Sequence, residues 1–163
     1  MLGADGIVIG PLTAAAEVDA SQTRVLVDAA AGLPVTFHRA FDHTRDLGRS
    51  AEALMALGVT RVLTSGGAPS ALQGVSEIAS LVKRVGGALS VMAGGGVREE
   101  HVQELVHRSG VAEVHVRGTH AVSRGSSPAR EGLKLRKALS ADENAWDETD
   151  ERRIKEFVRL ANG

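Results

Sequence analysis

Short apolar runs recur along this chain, and each follows a helix-like stretch that closes on glycine. Gly6-Ile7-Val8-Ile9 follows Leu2-Gly3, Pro34-Val35-Thr36-Phe37 follows Ala31-Gly32, and Arg61-Val62-Leu63-Thr64 follows Leu57-Gly58. Leu89-Ser90-Val91-Met92 follows Val85-Gly86-Gly87, and Glu113-Val114-His115-Val116 follows Ser109-Gly110. Glycine just past a helix adopts the left-handed conformation that ends it without steric cost. The runs begin roughly every 24–28 residues, the length of one strand-plus-helix unit. The pattern predicts an α/β fold with parallel strands near residues 6–10, 34–39, 61–65, 89–93 and 113–117, joined by right-handed crossovers.

The intervening stretches carry one apolar stripe each, as helices covering a sheet should. Ser21 is the expected cap of a helix over Gln22–Ala31, with Val25, Leu26 and Ala29 on one face. Ser50 or Asp46 opens the next, which holds Ala51, Leu54, Met55 and Leu57. Ser76–Val85 carries Ile78, Ala79, Leu81 and Val82. Glu99–Arg108 carries Val102, Leu105 and Val106, with Glu99 and Glu100 suiting the positive end of the helix dipole.

Past Gly118 the pattern lapses. Residues 118–132, rich in Ser, Arg and Gly from Val122 onward, read as a mobile loop. The acidic run Asp142–Asp150 reads as a solvated connector. A terminal helix over 149–162 places Ile154, Phe157, Val158 and Leu160 on one side. Residues 1–163 thus form a single partial domain, and the helix-tail character of Met1-Leu2-Gly3 leads us to expect coding sequence upstream.

Composition narrows the function classes. The 163 residues are 43% hydrophobic, enough for one domain with a core. A net charge of −1 lacks the basic excess that a phosphate backbone demands, and four aromatics (Phe37, Phe41, Trp146, Phe157) offer little for base stacking. Nucleic acid is not the expected partner. No run approaches the ~20 apolar residues of a membrane helix, so no membrane partner is expected and a cytoplasmic location is. The absence of cysteine removes thiolate catalysis and Cys-ligated metals.

Polar residues gather where the strands end. His38-Arg39-Ala40-Phe41-Asp42, Thr64-Ser65-Gly66-Gly67, Gly94-Gly95-Gly96-Val97 and His115-Val116-Arg117 each follow an apolar run. The strands' N-terminal ends carry no comparable clusters, and parallel α/β folds place their sites at the C-terminal ends. Side chains alternate along a strand, so Thr36 and His38 share the face opposite Val35 and Phe37. His38 and His115 are candidate acid–base groups or ligands, and a pair of imidazoles lining one cavity would suit a soft metal or proton transfer. Glu113, His115 and Arg117 share a strand face, which equally suits a polar barrel interior. Arg39 is a candidate for binding an anion and Asp42 for orienting His38; an ion pair bracing the loop is the plainer alternative. Gly94, Gly95 and Gly96 precede a helix start and form a candidate anion nest, with Ser65 and Gly66 in a second such turn. Tight turns that merely need glycine geometry would look the same. His101 and His107 read as solvent-facing helix positions.

The segment from Pro34 to Asp42 resembles the CutC copper-homeostasis family. So do Gly3–Thr13, Arg61–Gly67, Met92–Val97 and Glu113–His115, and the resemblance runs from Leu2 to about Thr119. It implies an incomplete TIM (β/α)8 barrel in which this chain supplies the fourth to eighth strands. Copper is a possible cofactor by that resemblance, but cysteine ligands associated with copper in some members have no counterpart here. Two functions follow: copper binding or copper tolerance in the cytoplasm, or a TIM-barrel enzyme on a small phosphorylated or carboxylated substrate with His38 as acid–base. A third reading is an inactive truncated barrel. Five units leave two open sheet edges, from which self-association is expected.

Overall fold

Every apolar run identified above becomes a strand, and all five pair in parallel and in sequential order. The computed structural model describes residues 3–123 and 145–163. Its main sheet comprises β1 (Ile7–Ile9), β2 (Val35–Phe37), β3 (Arg61–Thr64), β4 (Ser90–Gly94) and β5 (Glu113–His115). The helices are α1 (Ala20–Ala29), α2 (Leu47–Ala56), α3 (Val75–Val85) and α4 (Glu99–Ser109), with a 3-10 turn at Arg39–His43 ahead of α2. This is a partial TIM-like barrel. Among the described residues the sheet does not close.

The register sorts the side chains into two faces. Val8 pairs with Thr36, Thr36 with Arg61, Arg61 with Ser90 and Met92 with Glu113, so these residues share one face. All of them are half-buried or exposed. The opposite face holds Ile9, Val35, Phe37, Val62, Thr64, Val91 and Ala93, every one buried beneath the helices. Ile78 and Leu81 from α3 and Val102 and Leu105 from α4 complete this core.

The helix starts and stripes correct several expectations. Asp19, not Ser21, caps α1, accepting from the Gln22 amide at 2.9 Å. Asp46 rather than Ser50 caps α2 by accepting from Arg49 N at 2.9 Å. In α1 the residue buried against the rest of the fold is Thr23, with Val27 partly buried one turn on. The expected stripe points the other way: Val25 is 65% and Leu26 37% exposed. A helix with apolar residues on two sides offers no internal clue to which side its neighbours will take.

The region after β5 is also more ordered than its composition suggested. Thr119–Ser123 forms β6 and pairs antiparallel with β7 (Ala145–Thr149), so the start of the expected 118–132 loop and the end of the acidic connector are a two-stranded ribbon. Residues 124–132 lie outside the described residues. The terminal helix α5 spans Glu151–Ala161, capped by Asp150, and buries Phe157 while Val158 stays 57% exposed. No helix among the described residues is long and apolar enough to cross a membrane.

Candidate functional site

The rim is organised by one carboxylate. Phe41 is fully buried and anchors the 3-10 turn, which brings Asp42 back across the end of β3. Oδ1 of Asp42 accepts from Thr64 Oγ1 at 2.5 Å, Ser65 N at 3.0 Å and Gly67 N at 3.1 Å. Oδ2 accepts from Arg39 Nε at 2.8 Å. Burial on its own would raise the Asp42 pKa, but the hydrogen bonds from Thr64, Arg39, Gly67 and Ser65 outweigh it and hold the carboxyl below its ordinary value. Because Gly66 N donates to Thr64 Oγ1, the Ser65-Gly66-Gly67 turn has its amides engaged. The anion in that nest is the protein's own Asp42.

Of the two alternatives for Asp42, the ion pair with Arg39 is the one formed, and His38 is not among its hydrogen-bond partners. Arg39 Nη2 donates to Ser65 Oγ at 2.7 Å, and Ser65 Oγ lies 2.6 Å from the carbonyl of Ala68. Two of the three guanidinium nitrogens are thus held, while the side chain keeps 42% of its surface exposed. The remaining nitrogen, Nη1, lies against the α-carbon of Gly95, where an added β-carbon would come within 2.8 Å of it. Gly95 has φ +109°, so the turn needs glycine both for backbone conformation and for room. The Gly95 carbonyl is taken by Ala71 N at 2.9 Å, whereas the amides of Gly95 and Gly96 donate to no acceptor among the described residues. Gly94 belongs to β4 and is buried against Leu63 and His115, so only Gly95 and Gly96 present turn amides.

The two histidines are not brought together. His38 caps the 3-10 turn through Nδ1, which accepts from Ala40 N at 3.0 Å, and this assigns the proton of the neutral ring to Nε2. Its ring lies over Gly10, beyond β1. His115 stands on β5 beside Gly94, three strand spacings from β2, on the order of 14 Å along the sheet. Arg117 joins the ribbon, pairing with Asp147. His101 is half-buried and accepts from Arg98 N at 3.2 Å, capping α4 rather than facing solvent.

Two features escaped the sequence reading. The strands' N-terminal half is not bare: Arg61 makes a two-pronged pair with Glu113 at 2.5 and 3.0 Å, and Ser90 Oγ donates to the same carboxylate at 2.9 Å. The Arg61 hydrogen bonds, against a smaller opposing effect of burial, lower the Glu113 pKa. Charged residues in alternation with Leu63 and His115 were the available signal. The second feature is Glu99, in the first turn of α4 next to the glycine turn. Arg153 of α5 donates to it at 2.5 and 3.0 Å, which offsets a negative charge that would repel an anion there.

Comparison with known proteins decides the family. A model of the CutC family matches residues 1–120. This chain belongs to the CutC family. A CutC family protein of Xylella fastidiosa strain Temecula1 is 43% identical over 159 residues, 98% of this chain and 57% of the relative. One from Pasteurella multocida is 47% identical over 72% of this chain and 48% of the relative. The chain thus spans about half the length of the curated CutC relatives it matches. A crystal structure named for the copper homeostasis protein CutC of Streptococcus agalactiae matches with TM-score 0.65 and 34% identity, covering 68% of this chain and 55% of that one. A structure named native KDPGal matches over 97% of this chain and 58% of that one with TM-score 0.56 and 18% identity, a likeness of fold alone.

Proposed function

We propose that this chain carries the ligand-binding rim of a CutC-type copper-homeostasis protein acting in the cytoplasm, and that the rim holds a small anion, a phosphate or a carboxylate. The observation that supports this is Arg39 Nη1, left over from a guanidinium whose other two nitrogens are fixed, against Gly95 in a turn with two undonated amides. A fixed cation beside free backbone N–H groups is the arrangement that charge-assisted anion recognition needs.

The donor set fits copper poorly. The sequence has no cysteine, and no three His, Asp or Glu side chains among the described residues stand close enough to share a metal ion. His38 and His115 are each single imidazoles. We therefore favour an indirect part in copper tolerance, with the anion as the immediate ligand. An enzyme on a phosphorylated or carboxylated substrate with His38 as acid–base is the second reading, in which Nε2 would be the working nitrogen because Nδ1 is taken by Ala40 N.

Calorimetry with inorganic phosphate and with sulfate tests the reading. The chain should bind one of them, Arg39→Gln should weaken it at least about tenfold, and Gly95→Asp should abolish it with the fold retained by circular dichroism. Unchanged affinity in both variants rejects the site. A competition titration with Cu(I) should show no binding tighter than that of a lone histidine; a tight stoichiometric site would restore direct copper binding.

A further inference from the structure

Arg153, in the first turn of α5, has all three guanidinium nitrogens engaged by other elements. Nε and Nη2 hold the Glu99 carboxylate of α4 at 2.5 and 3.0 Å, and Nη1 donates to the Thr119 carbonyl at the start of β6. The seat around it is closely fitted. Asp150 caps α5, and its own amide donates to the Gly118 carbonyl at 2.8 Å. Ile154 packs on Gly118 so tightly that a β-carbon there would come within 2.3 Å of it. Phe157, one turn further along α5, is buried. The docking of α5 is therefore what places Arg153 over Glu99.

Glu99 lies three residues past Gly96, a separation of at most about 11 Å between α-carbons. His101, in the same first turn of α4, has Nε2 3.2 Å from the Gly96 carbonyl, which ties that turn to the glycines. Over such a distance a charge is only partly screened, the Debye length being about 8 Å at physiological salt. The Glu99 side chain is also 24% exposed, so solvent reaches it poorly. Neighbouring carboxylates have cations of their own: Glu100 has Arg98 at 3.7 Å and Glu156 has Arg159 at 2.6 Å. Glu99 takes its counter-charge from α5. We infer that Arg153 is a tuning residue of the rim: docked α5 cancels the Glu99 charge and lets an anion bind, and an occupied rim in turn holds α5 in place. The coupling runs equally in both directions by thermodynamic linkage. It rests on the anion reading of Arg39 and the Gly95-Gly96 turn given above.

Arg153→Gln and Glu99→Gln break the same ion pair, so a purely structural pair would weaken anion binding in both variants. Charge tuning gives opposite signs. In calorimetry of the full chain with inorganic phosphate, Arg153→Gln should weaken binding about three- to tenfold, because Glu99 is left uncompensated. Glu99→Gln should tighten it by a similar factor, and the double variant should return close to the unsubstituted chain. Arg153→Lys should keep most of the affinity, and all these differences should shrink in high salt. Phosphate should also slow amide hydrogen exchange in α5 of the unsubstituted chain, and less so in Arg153→Gln. Equal losses in the two single variants overturn the coupling, as does affinity unmoved in both while Arg39→Gln still weakens binding. Phosphate affinity insensitive to Arg39→Gln rejects the anion site itself, and the coupling with it.

Discussion

The two faces of the main sheet carry the same number of strands and opposite degrees of completion. Beneath the helices, Val35, Phe37, Val62 and Ala93 are 1% exposed or less. On the other face Val8 stands two-thirds exposed, and the interaction at its centre is an ion pair left one-third exposed, Arg61–Glu113. The helices suffice to fold the chain locally. The open face is mixed, with Thr36, Arg61, Ser90 and Glu113 beside Val8 and Met92.

The contrast can be broken most forcefully at Phe37. Phe37→Ala should cost about 3–5 kcal/mol by cavity formation, whereas Val8→Ala on the open face should cost under about 0.5 kcal/mol, both read from denaturant unfolding. Equal losses would mean that the open face is covered in solution.

Asp42 comes next. Removing it as Asp42→Ala leaves five donors, on Arg39, Thr64, Ser65 and Gly67, without their shared acceptor at a partly buried rim, an expected loss of about 2–3 kcal/mol. Its pH signature has a fixed sign. A carboxyl with a folded pKa below its unfolded value adds stability that is complete above about pH 4 and is lost as pH falls through the folded value. Asp42→Asn should flatten the acid limb of the stability curve. An unaltered limb would assign it to other carboxylates, Glu113 and Glu99 first.

A smaller effect than at Asp42 is expected at Glu113. Its carboxylate is one-third exposed, so Glu113→Gln should change stability by under about 1 kcal/mol, and less in high salt. A loss that does not shrink in high salt would show that the pair is shielded from solvent.

What the sequence disclosed follows from the range of the interactions involved. Strands and their order were legible because each is bracketed by local signals, such as the left-handed Gly86 and Gly110 that stop α3 and α4. The α1 stripe misled because the helix carries apolar residues on more than one side, and Thr23 and Val27 rather than Val25 and Leu26 face the rest of the fold. The ribbon was missed because Thr119–Ser123 and Ala145–Thr149 are polar and short, and each is recognisable only beside the other. Arg39 and Asp42 were identified as rim residues, but the partners that define Asp42 come from Thr64, Ser65 and Gly67, on a different unit. Three positions of spacing suggested a pair. Only the fold could show that the pair aims a cation.

That aim has a consequence for how a ligand would be received. An arginine side chain free in water samples many rotamers, and immobilising it on binding costs about 0.5–1.5 kcal/mol in lost entropy. Arg39 has surrendered that freedom already, to Asp42 and Ser65, during folding. The anion proposed above would meet a cation already held and a glycine turn with little freedom, so little reorganisation would stand between encounter and capture. Even a small, weakly interacting ligand could then be held at this rim.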